Sequence, residues 1–327
     1  MMTELPRVTI VTPSYNQATF LEQTILSVLG QDYSNLEYMV VDGASTDGSQ
    51  DIIHKYADLL SWWVSEKDHG QGEAINKGFV RATGEIVGWL NSDDVYQPGA
   101  IAAAVEAFQA WPETGLVFSD VLAIDGDNNV LNLMRCGDWG LDELMTFHIL
   151  NQPGVFMKRT VLEQAGYLDP DYHYMLDTHL WLRMAQIAPM RYIRKTLAAG
   201  RFHALAKNMA AAPRFGEEAL KLVAWMQTQS GLADRFQTLR RQVWAGAYRM
   251  NGRYLLDGGK AWPALQYYGK SLVNHPATAL PEWHRMVYAL LCLVGLQKLK
   301  LVYFRLRRLW RPRRSLPKLE SFKHLEK

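Results

Sequence analysis

The chain has 327 residues, of which 48% are apolar and 21% are charged, and its formal net charge at pH 7 is +2. These values are typical of a soluble globular protein with one large domain and an appendage, or with two domains. Cys136 and Cys292 are too few cysteines for a disulfide-stapled secreted fold, so a reducing, cytosolic environment is expected. Residues 1–7 show no basic segment followed by an apolar core, and no signal peptide is predicted.

The charge is unevenly distributed along the chain. Residues 297–327 contain eleven Lys or Arg and two Glu, a local balance of +9, and since the whole chain carries +2 the preceding residues carry −7. A domain that binds nucleic acid through its phosphates spreads basic residues over a folded face, whereas this body is acidic. No nucleic-acid partner is therefore expected.

Short apolar runs and amphipathic segments alternate through the first part of the chain. The pattern predicts strands at residues 8–12, 37–41, 62–64 and 86–90, and helices at residues 18–30, 49–60 and 72–82. Pro13 cannot donate to a central ladder and is expected to end the first strand. The alternation favours an α/β fold, a Rossmann-like, mostly parallel sheet flanked by helices. Ligands bind such sheets outside the carboxyl ends of the strands, where Thr12, Asp42 and Asp93 are expected.

Residues 91–94 (Asn-Ser-Asp-Asp) directly follow the apolar run of residues 86–90. A buried strand there would deliver two adjacent carboxylates to the end of the sheet. Mg²⁺ is commonly held by one or two protein carboxylates together with water and substrate phosphate, so this pair suffices for a metal–diphosphate site. The alternative is a solvated turn, since Asn, Ser and Asp also begin turns and cap helices.

A glycine-rich loop at residues 42–49 follows the second predicted strand. Its first acid, Asp42, suits hydrogen bonding to a base or a ribose. Alternatively, Gly43 and Gly48 simply turn the chain while Asp47 or Ser49 caps the next helix. The loop lacks the P-loop ending and a clean dinucleotide fingerprint, which disfavours nucleotide binding of those two kinds.

Four ordered segments carry a family resemblance: VTPSYNQ at residues 11–17, VDGASTDGS at residues 41–49, the run of residues 65–85, and NSDD at residues 91–94. Together they resemble family 2 glycosyltransferases, which are inverting enzymes of the GT-A fold that use nucleotide-activated sugars. The resemblance covers residues of about 6–210. It implies a GT-A catalytic domain.

By that resemblance, Thr12, Pro13 and Tyr15 would line the nucleoside pocket, and Asp42 would hydrogen-bond the base. Asp68 and Lys77 would complete the donor nucleotide site. On sequence alone, Lys77 is equally consistent with a solvated helix position.

The resemblance also implies a metal-dependent reaction with Mn²⁺ or Mg²⁺. Asp93 would face the ribose or the metal, and Asp94 would ligate the metal directly. The cation would neutralise charge on the departing diphosphate.

The family's catalytic base lies in a segment that reads acid, two residues, Leu-Trp, one residue, Arg. Residues 177–183 match it, which makes Asp177 the candidate base. Many relatives have Glu before the base, and this chain has Leu176, an apolar neighbour that could raise the pKa of Asp177. The alternative is that Asp177 caps a helix whose Leu180 and Trp181 belong to the core.

Two further segments resemble the family's acceptor and diphosphate side. Gln152 would touch the donor sugar or the acceptor. Arg201, His203 and Lys207 would form a closing loop, in which His203 completes the metal shell and the basic residues cover the diphosphate. A lone His is otherwise more often structural.

The character of the sequence changes after residue 212. We expect a catalytic domain at residues 1–212, a helical appendage at residues 213–282, and an amphipathic, basic helix and tail at residues 283–327. Residues 254–272 resemble a single tetratricopeptide-type hairpin, which cannot bury its own apolar face and should pack on the catalytic domain or a partner.

The C-terminal segment combines an uncharged run, residues 286–296, with basic residues that alternate with apolar and aromatic ones. The run is about half the ~20 residues needed to span a bilayer. An interfacial helix on an anionic membrane fits better, and a core helix followed by a basic tail is the alternative.

The combined hypothesis is an inverting transfer of sugar from a nucleoside-diphosphate sugar to a hydroxyl of a glycan or lipid-linked acceptor, in polysaccharide synthesis. The expected location is cytoplasmic, peripheral on the inner face of the cell membrane. The alternative is a catalytically silent carbohydrate- or nucleotide-binding scaffold that acts through its helical region. A sugar nucleotidyltransferase is disfavoured because its glycine-rich N-terminal loop is absent.

Overall fold

The computed structural model describes residues 5–203, 212–296 and 317–320. The chain divides into two compact units. The first, here the sheet unit, comprises Met1–Leu141, Ile149–Phe202 and Pro317–Lys327. The second, here the helical unit, comprises Asp142–His148 and His203–Leu316, so it takes one short segment from the first half of the chain.

Within the described residues, a nine-stranded sheet forms the framework of the sheet unit. Its strands are β1 Val8–Ser14, β2 Leu36–Asp42, β3 Trp62–Ser65, β4 Ile86–Trp89, β5 Val95–Tyr96, β6 Leu116–Ile124, β7 Val130–Met134, β8 Val155–Lys158 and β9 Met190–Arg201. Their order is β3-β2-β1-β4-β8-β6-β9-β5, and β7 pairs with β6. The first four strands pair in parallel, β8 is antiparallel to β4 and β6, and β6 is parallel to β9. The mostly parallel α/β sheet expected from the sequence is confirmed.

The helices of this part of the chain are α1 Ala18–Leu29, α2 Ser49–Lys55, α3 Gln71–Arg81, α4 Ala100–Ala110, α5 Leu141–Met145, α6 Arg159–Ala165 and α7 Leu176–Ile187. The predicted helix at residues 49–60 is interrupted. The backbone of Tyr56 leaves the helical region at φ −109°, and a 3₁₀ turn at Ala57–Leu59 follows.

Strand β1 runs through Pro13 to Ser14, beyond the end predicted at Thr12. Pro13 is paired with Val41 of β2, whereas the pairing of β1 with β4 stops at Val11. The carbonyl of Val11 accepts a hydrogen bond from Leu90 on the β4 side, and alternate residues of a strand point their peptide groups to the same neighbour. The missing N–H of Pro13 therefore faces a side where the ladder has already ended, and no ladder hydrogen bond is lost.

Helices cover both faces of the parallel half of the sheet. Ile10 of β1 belongs to one buried cluster with Leu21 of α1. Val11 points to the other face, because successive side chains of a strand alternate, and there it meets Gly78 of α3. A Cβ at Gly78 would lie 2.4 Å from Cγ1 of Val11, so glycine is required for this approach. Helix α3, which carries Lys77, is thereby held close against the sheet.

The helical unit contains α8 Ala212–Thr228, α9 Ala233–Asp257, α10 Ala261–Asn274, α11 Pro276–Ala279 and α12 Trp283–Leu293. Residues 254–272, expected to form a helical hairpin, lie in the end of α9, a short turn and most of α10. Among the described ranges, none of the helices has the length and apolar composition that a bilayer span requires. The basic part of the expected amphipathic segment, residues 297–316, lies outside the described residues.

A buried carboxylate ties the helices of this unit together. Glu282 is 5% exposed and pairs with Arg253, and the hydroxyl of Tyr268 donates to it over 2.8 Å. Burial alone would raise the pKa of Glu282, but the Arg253 guanidinium outweighs it and holds that pKa below its ordinary value. The pair is therefore ionised in the folded state and stabilises it.

Candidate active site

The acidic pair lies in the loop that follows β4, between β4 and β5. Asp94 is 6% exposed, and its Oδ1 accepts a hydrogen bond from the backbone N–H of Arg201 over 2.8 Å. Asp93 next to it is half-buried. Burial, together with the adjacent Asp93 carboxylate, raises the pKa of Asp94 well above its usual range. The ionised form of Asp94 is therefore disfavoured unless a further positive charge lies beside it.

Arg201 supports this loop from behind. The side chain is 3% exposed, its Nε donates to the carbonyl of Asp93 over 2.8 Å, and its Nη1 donates to Asn128 over 2.8 Å. Its Nη2 donates to Gln23 over 2.8 Å, and the guanidinium lies over the ring of Phe20. These contacts leave little of Arg201 accessible to a diphosphate. In the structure, Arg201 holds the acidic loop in position through its contacts with Asp93 and Asp94.

Asn91 forms hydrogen bonds with three site residues, a role that was not predicted from the sequence. Its Nδ2 donates to Oδ2 of Asp94 over 3.2 Å and to Oε1 of Gln152 over 3.0 Å, and its Oδ1 accepts from Gln71 over 2.7 Å. The Nε2 of Gln152 in turn donates to the carbonyl of Trp89 over 2.8 Å. One amide thus joins the candidate metal ligand, the candidate acceptor-side residue and the start of α3.

The loop after β2 is folded by Asp42. This carboxylate is fully buried and accepts hydrogen bonds from the N–H of Ser45 over 2.9 Å, from its hydroxyl over 2.5 Å and from the hydroxyl of Ser65 over 2.7 Å. Ser45 and Asn16 then tie this loop to the loop after β1. Ala44 adopts a positive φ of 62°, a strained conformation of the kind that clusters at ligand sites.

The structure brings Tyr15 and Asp68, two of the predicted donor-site residues, to one place. A Cβ at Gly43 would lie 2.8 Å from Oδ2 of Asp68 and 3.3 Å from the ring of Tyr15, so these residues surround the same glycine. Tyr15 is 63% exposed and offers its ring to solvent. Thr12 is buried, and its hydroxyl lies 3.0 Å from that of Tyr38. The loops after β1, β2 and β3 therefore meet at the carboxyl edge of the sheet.

Lys77 lies on α3 and is engaged by two acids. Its Nζ lies 2.9 Å from Glu66 and 3.3 Å from Glu73. Its side chain is 22% exposed, so a diphosphate would have to draw the ammonium group away from these carboxylates.

Asp177 lies in the first turn of α7. Its Oδ1 accepts a hydrogen bond from the N–H of Thr178 over 2.6 Å. Trp181, one turn further along, stacks on Trp89 of β4 at 6.3 Å between ring centroids. Because residues four apart share a helix face, this stack ties the face of α7 that carries Asp177 to the strand that precedes the acidic pair.

The segment that leads into α7 is fixed from two sides. Asn76 of α3 donates to the carbonyl of Leu168 over 2.8 Å and accepts from its N–H over 3.0 Å. Arg183 of α7 donates to the carbonyls of Ala165 and Tyr167. Asn76 and Arg183 both lie within segments that carried the family resemblance, but the contacts they make depend on the folded chain.

The closing-loop residues are only partly placed. His203 is half-buried and is the last residue before a break in the described ranges. Lys207 lies outside the described residues.

A divalent cation fits the acidic pair by its donor chemistry. In the described part of the chain no group of three His, Cys, Asp or Glu is arranged around a metal position, and Asp94 forms no salt bridge there. A buried carboxylate of this kind is what a cation would compensate, with substrate phosphate supplying further ligands. The residues that would hold it are Asp94 and Asp93.

A mostly parallel sheet, loops that meet at its carboxyl edge, an acidic pair after β4 and an acid at the start of α7 are the arrangement expected of the GT-A fold. The family model for glycosyl transferase family 2 matches residues 9–163 of this chain. The resemblance expected from the sequence motifs is confirmed over these residues.

Several relatives that are named as glycosyltransferases match this chain. An uncharacterized glycosyltransferase of Nostoc sp. is 29% identical over 243 residues, which cover 70% of this chain and 75% of that protein. An uncharacterized glycosyltransferase of Rickettsia conorii is 26% identical over 60% of this chain but only 34% of its own length. TuaG of Bacillus subtilis, named for teichuronic acid biosynthesis, is 36% identical over 31% of this chain and 41% of its own length.

Two solved structures share the fold. TarS 1–349 of S. aureus in complex with UDP-GlcNAc superposes with a TM-score of 0.58 at 15% identity, covering 85% of this chain and 92% of that one. The mannosyltransferase PcManGT from Pyrobaculum calidifontis in complex with GDP-Man and Mn²⁺ has a TM-score of 0.59 at 20% identity, covering 94% of this chain and 88% of that one. The expected GT-A fold with a C-terminal helical region is thus confirmed.

Proposed function

We propose that this chain transfers a sugar, with inversion, from a nucleoside-diphosphate sugar to a hydroxyl of a glycan or lipid-linked acceptor in polysaccharide synthesis. One observation carries the proposal. The Trp89–Trp181 stack links the end of β4, which leads into Asp93 and Asp94, to the helix face that presents Asp177. This packed contact holds the proposed leaving-group site, Asp93 and Asp94, in a fixed position relative to the proposed base, Asp177.

The reaction follows from these roles. Asp177 removes the proton of the acceptor hydroxyl, and the oxygen attacks the anomeric carbon from the face opposite the diphosphate. A new glycosidic C–O bond forms while the bond to the diphosphate oxygen breaks, and the electron pair leaves with the nucleoside diphosphate. A single displacement of this kind inverts the anomeric configuration.

The donor side uses the loops at the carboxyl edge of the sheet. Tyr15 and Asp68 border the nucleoside position around Gly43, and Asp42 fixes the loop between them. Mn²⁺ or Mg²⁺, when held by Asp94 and Asp93, would neutralise charge on the diphosphate. The UDP-GlcNAc and GDP-Man bound by the two structural neighbours support a nucleoside-diphosphate sugar as donor.

The acceptor class rests on relatives. The name of TuaG refers to teichuronic acid biosynthesis, which supports a role in polysaccharide synthesis for this chain. Gln152, held between Asn91 and Trp89, is the residue we assign to the donor sugar or acceptor.

The decisive test is Asp177→Asn. Removing a general base lowers turnover by about 10²–10⁴-fold, while donor binding, read by thermal shift with UDP-, GDP- and dTDP-sugars plus Mn²⁺, should persist. Asp51→Asn is the matched control, because Asp51 is also a first-turn helix acid but is exposed on α2. Full turnover by Asp177→Asn in a clean preparation would refute the assignment of Asp177 as the general base.

The alternative, a catalytically silent scaffold, predicts donor binding without transfer or hydrolysis in the wild-type chain. The wild-type assay with a panel of glycan acceptors separates the two, since transfer that requires Asp177 is incompatible with a silent scaffold.

We also propose a peripheral location on the inner face of the cell membrane. Trp283, Val287 and Leu290 of α12 and Val294 just after it are 58%, 44%, 54% and 67% exposed, at the spacing of one helix face. This apolar stripe directly precedes the basic residues 297–316, a combination that suits anionic lipid.

Vesicle sedimentation at low salt tests the membrane proposal. Leu290→Glu should weaken binding to phosphatidylglycerol-containing vesicles by about tenfold or more, because it places a charge in the apolar stripe. Val273→Glu is the control, since Val273 is 78% exposed on α10 outside the stripe. Equal binding of the wild-type chain to neutral and anionic vesicles would contradict the proposal.

A further inference from the structure

The helical unit contains a cavity of about 390 Å³ that the proposed reaction does not use. It is lined by one residue of α8, four of α9 and one of α10, namely Gln227, Arg240, Arg241, Trp244, Tyr248 and Asn274. Its size lies in the range of small-molecule sites. All of its walls belong to the helical unit.

Aromatic rings form one wall of this cavity. Trp244 and Tyr248 lie one turn apart on α9, with ring centroids 5.3 Å apart, and both are half-buried. Tyr267 of α10 continues the row at 5.9 Å from Tyr248. Half-buried aromatic rings beside polar side chains are suited to the apolar C–H face of a sugar ring, since Trp and Tyr combine an apolar body with a polar edge.

The other wall is cationic. In the part of the chain that the structure describes, neither Arg240 nor Arg241 has a carboxylate within ion-pair distance, nor does Lys270 near the aromatic row. The ammonium of Lys270 lies 4.6 Å from the centroid of Tyr267. Arg241 is oriented by donating to the carbonyl of Asn274 over 2.8 Å. Residues 212–296 contain ten Lys or Arg and five Asp or Glu, so this part of the chain carries a net positive charge, to which Arg240, Arg241 and Lys270 contribute.

We infer that this cavity binds a saccharide that carries a carboxylate or a phosphate, as a holding site for an anionic glycan chain. The aromatic row takes the sugar ring, the amides of Gln227 and Asn274 take hydroxyl groups, and Arg240 and Arg241 take the anion. Three cations around a cavity of this size are too few for a nucleic-acid surface. A concave cavity of this volume suits a ring better than a flat protein interface does.

This inference rests on the proposed function in one respect, that the saccharide is the acceptor. A chain held in this cavity would remain bound between transfers, so long acceptors should have a lower KM than short ones. Binding itself is independent of transfer and can be measured without any donor.

The test is calorimetry with trigalacturonate and, as a neutral match, its methyl ester, alongside glucose 6-phosphate and glucose. At least one charged probe should bind about tenfold or more tightly than its neutral match. Trigalacturonate binding alone would identify a carboxylate ligand, and glucose 6-phosphate binding alone a phosphate ligand. Equal binding within both pairs, or no binding of either charged probe, would overturn the inference.

Variants locate the site. Arg240→Gln should weaken binding of the charged probe by about fivefold and Trp244→Ala by about tenfold or more. Lys260→Gln is the control, because it removes the same charge at the opposite end of α10, ~20 Å away. Arg240 is exposed and forms no hydrogen bond in the described structure, so its variant reports on the site even if Trp244→Ala proves unstable.

Two further outcomes separate the possibilities. Inorganic phosphate that saturates the site at the same concentration as glucose 6-phosphate would reduce it to a simple anion site and refute the saccharide. Thermal shift with nucleotide sugars and Mn²⁺ runs in parallel. If the protein binds the saccharide but no nucleotide sugar, the proposed function is contradicted. The assignment of the cavity as a saccharide site then still holds.

Discussion

The amide of Asn91 offers the sharpest probe of how the acidic pair is held. Asn91→Ala removes the hydrogen bonds to Asp94, Gln152 and Gln71, measured at 3.2, 3.0 and 2.7 Å. Each such bond contributes about 0.5–1.5 kcal/mol net, and Asn91 is half-buried, so water will replace part of what is lost. We expect the free energy of unfolding to fall by about 1–3 kcal/mol.

The effect on activity should be larger than the effect on stability. Without Asn91, Oδ2 of Asp94 loses the donor that orients it, and Oδ1 keeps the N–H of Arg201. Residues that orient a metal ligand typically change metal affinity or activity by about 10–100-fold. The Mn²⁺ concentration for half-maximal sugar transfer should therefore rise about tenfold, and excess Mn²⁺ should restore part of kcat.

Asn35→Ala is the matched control for this experiment. Asn35 is also a half-buried amide that accepts from Arg7 over 3.2 Å and donates to the carbonyl of Leu5 over 2.8 Å, but it lies at the amino end of β1. It should lower stability without changing the Mn²⁺ requirement. The same Mn²⁺ activation curve for both variants would refute the idea that Asn91 positions Asp94.

Two further predictions concern stability. Gly78→Ala should lower the free energy of unfolding in urea by about 1–3 kcal/mol, because its Cβ would overlap Val11, whereas Gly72→Ala on the same helix meets nothing within 4 Å and should not destabilise. Glu282→Gln should lower the free energy of unfolding by about 2–4 kcal/mol at pH 7, below the ~3–5 kcal/mol of a fully buried pair, because the side chain of Arg253 is 37% exposed while that of Glu282 is 6% exposed. Because the folded pKa of Glu282 is lowered, its stabilisation is present above about pH 4.5 and is lost as the pH falls further, so the difference between variant and wild type should shrink at pH 3.5. A difference that is constant with pH would contradict the assignment.

The first four strands could be read from the sequence because their signal is local. Apolar runs ended by Asp42 and Asn91 set the strand ends, and the parallel order follows from the helices between them. The second half of the sheet could not be read in this way. Strand β8 enters between β4 and β6 in an antiparallel sense, and nothing in the local pattern of Val155–Lys158 specifies that neighbour.

Some site residues could also be predicted from local sequence, whereas the roles of others depend on contacts between distant segments. The acids at the strand ends were predictable, since carboxyl ends of parallel strands share one edge. The burial of Arg201 was not, because its partners Gln23 and Asn128 come from distant parts of the chain. Asn91 was recognised as part of the acidic motif, but its role was not predicted. That role depends on Gln71 and Gln152, which lie next to Asn91 only in the folded chain.

The hydrogen bond from the backbone of Arg201 to Asp94 joins residues 107 positions apart. Strand β5, which follows Asp94, has β9 as its partner, with Val95 opposite Ala199. During synthesis, the acidic pair is therefore made long before the strand that orients it. A ribosome-bound chain that has emerged only to the end of α4 can form its first four parallel strands while its acidic loop is still unsecured. The acidic loop acquires its hydrogen bond from Arg201 only when β9 docks, so the geometry of the proposed donor site is completed late in synthesis.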